Sequence, residues 1–137
     1  MPKAKKLRRP ASLTAPPPTE PVLRVAPMPS DCNANGDIFG GWVLSQMDIA
    51  SGTVASRRAQ GRVVTVAVES MTFHKPIKVG DIVSIYADVV RVGRTSVAIG
   101  IDTFVARRLN PEPIKVTEGV YTFVAIDARG RPRPIPK

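Results

Sequence analysis

The stretch from Asn33 to Asp48, NANGDIFGGWVLSQMD, holds the residue types that could do chemistry. A polar, turn-forming run leads into Gly40 and Gly41 and then into an apolar segment with helical spacing. Inside that segment stands one carboxylate, Asp48, beside Met47, Ile49 and Ala50. A helix start with little side-chain cover offers bare backbone N–H groups to developing negative charge. An acid two turns further in is badly placed for capping and costly to bury without a use. Together these read as half of an acyl-transfer site, with Gly40 and Gly41 as oxyanion donors and Asp48 as base. The amide of Asn33 could hold the attacking water or the acyl group.

Each residue also has a plainer reading. Asp48 could be a solvated helix acid, and the two glycines could merely allow a helix and a strand to pack closely. Asn33 could be an Asx-turn residue, and Asp37 is expected as the helix N-cap. The segment is a poor dinucleotide-binding fingerprint, because PSDCNAN stands where a strand should precede the glycines. His74 is the only histidine and Cys32 the only cysteine. His74 lies in FHKP at a strand end with no suitable partner by spacing, so a structural role is expected. One His and one Cys cannot build a zinc site, and no Ser-His-Asp triad is apparent.

The elements that must position these residues can be read from pattern. Apolar residues Trp42, Val43, Met47, Ala50 and Val54 recur at three- and four-residue spacing, which predicts a helix over 41–58. A second face of that helix carries Gly41, Leu44, Asp48, Ser51, Gly52 and Ala55, mostly small residues that would let a backbone or a thin ligand approach the carboxylate. After Gly61 the chain reads as strand: 63–71, 82–92, a run through Val97, Ile99 and Ile101, and 114–126, with 22–25 as a short first strand. One long helix with about five mostly antiparallel strands is an α+β layout, the helix burying its apolar face against a sheet curled around it.

The chain of 137 residues is sized for one domain. Its formal charge of +9 could suggest nucleic acid, but the excess sits at the ends. Residues 31–127 carry ten basic and ten acidic side chains, so the body is neutral, and no specific nucleic-acid surface is expected. Eight of the fourteen prolines lie in the first thirty residues, and three more between Pro132 and Pro136, so both ends resist regular structure. These features divide the chain into a basic proline-rich arm (1–20), a globular unit (21–128) and a basic proline-rich tail (129–137). A single cysteine excludes an intramolecular disulfide and is consistent with the cytoplasm. No apolar run reaches the ~20 residues of a membrane span.

These residues, in this order, resemble the hotdog-fold acyl-CoA thioesterases, most closely the YciA-type acyl-CoA hydrolases. The resemblance rests on MPSDCNANGDIFGGWVLSQMD (28–48), GRVVTVAVESMTFHKPIKVGD (61–81), VGRTS (92–96) and VTEGVYTFVAID (116–127). It implies a helix wrapped by an antiparallel sheet, dimers that join their sheets, trimers of dimers, and active sites at the dimer interface. It also implies hydrolysis of acyl-CoA to free acid and CoA without a metal or cofactor. The family's catalytic acid falls on Asp48, its loop amide on Asn33 and its helix-start glycines on Gly40 and Gly41. Water attack assisted by Asp48 and direct attack by Asp48 through an anhydride both stay open. Arg94, Thr95 and Ser96 in VGRTS, with Arg91 and Lys75 nearby in the inferred topology, are expected to contact the CoA phosphates. Two positions depart from the family: Cys32 replaces an expected Thr, and IASGTVA follows Asp48 where a Gly-Gly pair is usual. A non-catalytic acyl-CoA-sensing module of the same fold is the alternative, and a nucleic-acid-associated protein acting through its basic ends is a second one.

Overall fold

A computed structural model describes residues 13–137; the greater part of the basic arm, residues 1–12, lies outside the described residues. In chain order the elements are β1 (Leu23–Val25), a 3-10 turn (Pro29–Asp31), α1 (Gly40–Ala59), β2 (Val63–Phe73), β3 (Ile82–Val92), β4 (Ser96–Arg107) and β5 (Asn110–Ala125). The strands form one antiparallel sheet in the order β1-β3-β4-β5-β2. The long helix packs against β2, β3, β4 and β5. This is the predicted α+β arrangement, and every expected strand is present.

The helix buries Val43, Met47, Ala50, Ser51, Ala55 and Ala59. The buried stripe is therefore turned from the predicted one: Trp42 and Val54 are only partly covered, while Ser51 and Ala55 are fully buried. Small side chains let the sheet approach closely, and the hydroxyl of Ser51 is satisfied by donating to the Met47 carbonyl at 2.7 Å. Half of the small-residue strip thus serves the chain's own core, and Asp48 stands at its border.

Beyond Asp127 the chain has no strand or helix, as the prolines require, yet it is packed. Ile135 is buried in the core cluster, and its amide donates to the Arg94 carbonyl at 2.8 Å. The guanidinium of Arg133 donates to the Ala59 carbonyl at 2.9 Å, and that of Arg58 to the Pro136 carbonyl at 2.7 Å. Helix C-termini leave carbonyls without intrahelical partners, and Arg133 satisfies one of them. The proline-rich end is in effect a strap across the helix C-terminus and the β3–β4 hairpin.

β2 is an edge strand of eleven residues with Val64, Val66 and Val68 all exposed. Near its end Ser70 adopts a left-handed φ of 55°, and Ser70 and Met71 together face the single residue Gly119 of β5. A Cβ on Gly119 would lie 2.6 Å from Met71 Cε, so any larger residue there would push the flexible Met71 thioether aside. Such a bulge bends the strand and re-aims its last residues, here Thr72 and Phe73. Truncating the strap's anchor by Ile135→Ala should cost about 2–4 kcal/mol, read from the urea unfolding midpoint; an unchanged midpoint would show that the tail does not belong to the core.

Candidate active site

Asp48 is half-buried on the flank of α1 that faces β2. Its Oδ1 accepts a 2.6 Å hydrogen bond from the hydroxyl of Thr65 in β2. One turn earlier on the helix, the Leu44 carbonyl accepts the buried hydroxyl of Tyr121 at 2.7 Å. Burial first, and the negative charge of Asp48 second, push the Tyr121 phenol up to about 12. The carboxylate therefore faces a hydroxyl donor on one side and a neutral phenol nearby. Neither Thr65 nor Tyr121 carries a sequence signal toward Asp48, since the sheet alone brings them there.

At the helix start, the N-cap position is held by Phe39, with no side-chain hydrogen bond to the first turn. Asp37 is not the N-cap expected from sequence; its carboxylate instead pairs with Lys78. The first amides that find a backbone acceptor are those of Trp42 and Val43, both on the Phe39 carbonyl. Among the described residues the amides of Gly40 and Gly41 have no acceptor, and both residues are exposed. A Cβ on Gly41 would meet nothing within 4 Å, and one on Gly40 would only touch the Phe73 ring at 3.7 Å. Intrachain packing therefore does not demand glycine at either position. The donors are bare toward the outside.

Asn33 closes the preceding loop. Its Oδ1 accepts from the amides of Asn35 and Asp37 at 2.9 and 3.1 Å, an Asx turn that leaves its NH2 group without an acceptor among the described residues. The turn role and a ligand role are thus compatible, because they use different atoms. Gly40 and Asp48, however, are eight residues apart on one helix, a rise of about 12 Å. A base and oxyanion donors acting on one carbonyl carbon must lie within about 6–7 Å of each other. Within one chain the helix-start amides and the Asp48 carboxylate therefore stand apart.

The β3–β4 turn carries Arg91, Arg94, Thr95 and Ser96, with Ser96 folded over it: a Cβ on Gly93 would sit 2.8 Å from Ser96 Oγ. Arg91 and Arg94 are exposed and have no carboxylate partner among the described residues. Lys75 does not join them. It follows β2, whose Phe73 pairs with Thr117, whereas Ser96 pairs with Val124, so the two groups are separated by seven residues of β5, roughly 20 Å. Within one chain Lys75 lies instead by the helix start, lining a partly open cavity of about 40 Å³ there. His74 does have an acidic partner that its spacing concealed, Glu118 of β5 at 2.8 Å, itself paired with Lys115. No group of three or more His, Cys, Asp or Glu among the described residues is arranged to hold a metal ion, and no helix there is long and apolar enough to cross a membrane.

Comparison with known proteins places this geometry. The family model of the thioesterase superfamily matches residues 35–109. The acyl-CoA thioester hydrolase YciA of Salmonella typhimurium is 52% identical over 121 residues, covering 85% of this chain and 90% of its own. A hexameric thioesterase of Yersinia pestis superposes with a TM-score of 0.83 at 50% identity, covering 88% and 98% of the two chains. A hexameric hotdog-fold thioesterase of Campylobacter jejuni gives 0.82 at 38% identity, covering 86% and 91%. The chain is a hotdog protein of the thioesterase superfamily. Within that superfamily it belongs to the acyl-CoA thioester hydrolase family that includes YciA.

Gly41→Ala should leave stability within about 1 kcal/mol of the parent, because open space receives the methyl group; a thermal melt checks this. Tyr121 holds its proton more tightly folded than unfolded, so its contribution to stability is complete below pH 10 and is lost as the pH climbs toward 12. Asp48→Asn should lower the Tyr121 midpoint part of the way back, read as the difference in phenolate absorbance between each protein and its Tyr121→Phe counterpart.

Proposed function

We propose that this chain hydrolyses acyl-CoA thioesters to a carboxylic acid and CoA, at sites completed by two copies of itself. The observation that carries the reading is the pair of acceptor-free glycine amides at the start of the helix that bears Asp48. Both half-sites flank the exposed edge strand β2. Asp48 is tied to Thr65 near one end of β2, and Gly40 lies under Phe73 at the other. A two-fold pairing of β2 with its copy, antiparallel about its midpoint near Val68, sets Thr65 of one chain opposite the Phe73 end of the other. The carboxylate of one subunit then meets the bare amides of its neighbour. The same pairing covers Val64, Val66 and Val68, which an isolated edge strand would leave as an aggregation hazard.

In this site Asp48 takes a proton from water as the water oxygen bonds to the thioester carbon. The carbonyl oxygen becomes an oxyanion facing the amides of Gly40 and Gly41, where the positive end of the helix dipole adds to the stabilisation. Collapse of the adduct restores the carbonyl and breaks the C–S bond, and the departing CoA sulfur takes up the proton that Asp48 removed from water, which regenerates the carboxylate. The free NH2 of Asn33 is placed to orient the water or the acyl oxygen. The carboxylate could instead add to the carbon itself, giving an anhydride that water then opens. CoA phosphates would engage Arg91, Arg94, Thr95 and Ser96. Lys75, remote within one chain, comes to the same end of the paired sheet as the partner's hairpin. No metal or cofactor takes part in this scheme. Three such dimers would give the hexamer that its relatives form.

Asp48→Asn should retain the fold and lose about 10²–10⁴-fold in kcat, measured by thiol release from acyl-CoA. Ligand binding without turnover in the parent would point instead to a sensing module. Val68→Glu sets two carboxylates opposite each other across the two-fold and should give monomers without activity, checked by light scattering beside the same assay. Arg94→Ala should raise KM for acyl-CoA but not for an acyl-pantetheine, since only the former carries the nucleotide phosphates.

A further inference from the structure

The thioester carbonyl, seated on the Gly40 and Gly41 amides, leaves open where the rest of the acyl group goes and what limits its length. Beside Gly40, between α1, the end of β2 and β5, lies the partly open cavity of about 40 Å³, walled by Ile38, Gly40, Val43, Phe73, Ile77 and Val116. An apolar cavity of about 150 Å³ holds a benzene ring, so this space takes only about one or two methylene-sized groups. Val43, Ile77 and Val116 are core residues, between 1% and 4% exposed, and cannot withdraw without disturbing the fold. Phe73 differs from them. Within one chain it is 52% exposed, it ends an edge strand, and the Ser70–Met71 bulge sets it over the helix start, so it lies at the seam of the proposed strand pairing and outside the core.

We infer that the acyl chain enters this cavity and that Phe73 is its adjustable wall, setting the longest acyl group that fits. The inference rests on the acyl-CoA reading and names the part of the site that discriminates among substrates. Two features support it. The cavity abuts the residue whose amide would hold the carbonyl, so the acyl carbon starts at its mouth. Its walls are mainly aliphatic and aromatic, with Lys75 and Thr117 the polar members of the lining, which suits an alkyl chain.

The test is the dependence of kcat/KM on straight-chain length, from acetyl- to decanoyl-CoA, for the parent, Phe73→Ala and Phe73→Trp. Burying one methylene is worth about fourfold. In the parent the gain should stop after roughly one or two methylenes. Phe73→Ala should carry the rise at least two methylenes further, and Phe73→Trp should end it earlier. Each profile is normalised to its own shortest active substrate, so a uniform change in rate does not enter. Two variants that move the break in opposite directions also guard against one that fails to fold. If the break falls at the same length in all folded proteins, Phe73 does not set it and the inference is wrong. If the parent hydrolyses no acyl-CoA of any length, the acyl-CoA reading itself has failed, a result distinct from an unmoved break.

Discussion

An α-helix advances only about 1.5 Å per residue, and that rise governs this site. Gly40 and Asp48 stand on the same helix, so their separation cannot be adjusted by packing. It is too long for one carbonyl carbon to be reached by both. Two copies of the helix, brought together head to tail, remove the difficulty without bending anything. The edge strand β2 offers the means, because it is long, apolar and unpaired on its outer side. In the function proposed above, oligomerisation would serve the chemistry and also cover an exposed strand.

The local irregularities of the chain fit that requirement. A left-handed Ser70 costs about 1–2 kcal/mol relative to a regular strand residue, and the Met71 thioether lies over Gly119 in the middle of β5. Neither feature improves the core. Both turn the end of β2 so that Phe73 covers Gly40. At the helix start, nothing inside the chain excludes a methyl group from Gly41, which agrees with the donor role proposed for its amide. Strain and omission gather where a ligand would sit, as they do in functional sites generally.

Charge is arranged on a coarser scale. Arg91 and Arg94 extend from a hairpin whose carbonyl, at Arg94, is held by the amide of Ile135. The strap that supplies Ile135 also satisfies the end of the helix through Arg133. Basic residues in the C-terminal half thus have two different occupations. Some complete the fold, and others, Arg91 and Arg94, are exposed without a carboxylate partner among the described residues. Net charge alone does not separate them, which is why a formal charge of +9 is a poor guide to nucleic-acid binding here.

Local pattern was enough to determine the helix, the strands and the identities of Asp48, Gly40, Gly41 and Asn33 as candidates, because periodicity and a bare helix start are properties of neighbouring residues. Three- and four-residue spacing locates a helix but not the exact face it buries; the sheet chose Ser51 and Ala55 over Trp42 and Val54. Thr65 and Tyr121 reach Asp48 from strands 17 and 73 residues away, and no rule of short range could name them. The same holds for Glu118 beside His74, and for Lys75, which sequence placed with the hairpin and the sheet set at its other end. Asp37 lost the cap to a pairing with Lys78 because the loop bends back toward the turn before β3. Proline content correctly denied the tail a strand or helix, but the burial of Ile135 depended on a groove that exists only once helix and hairpin have come together. Residue type settled which chemistry was available, whereas tertiary packing settled which groups meet, since contacts across a sheet are made between residues that are strangers along the chain.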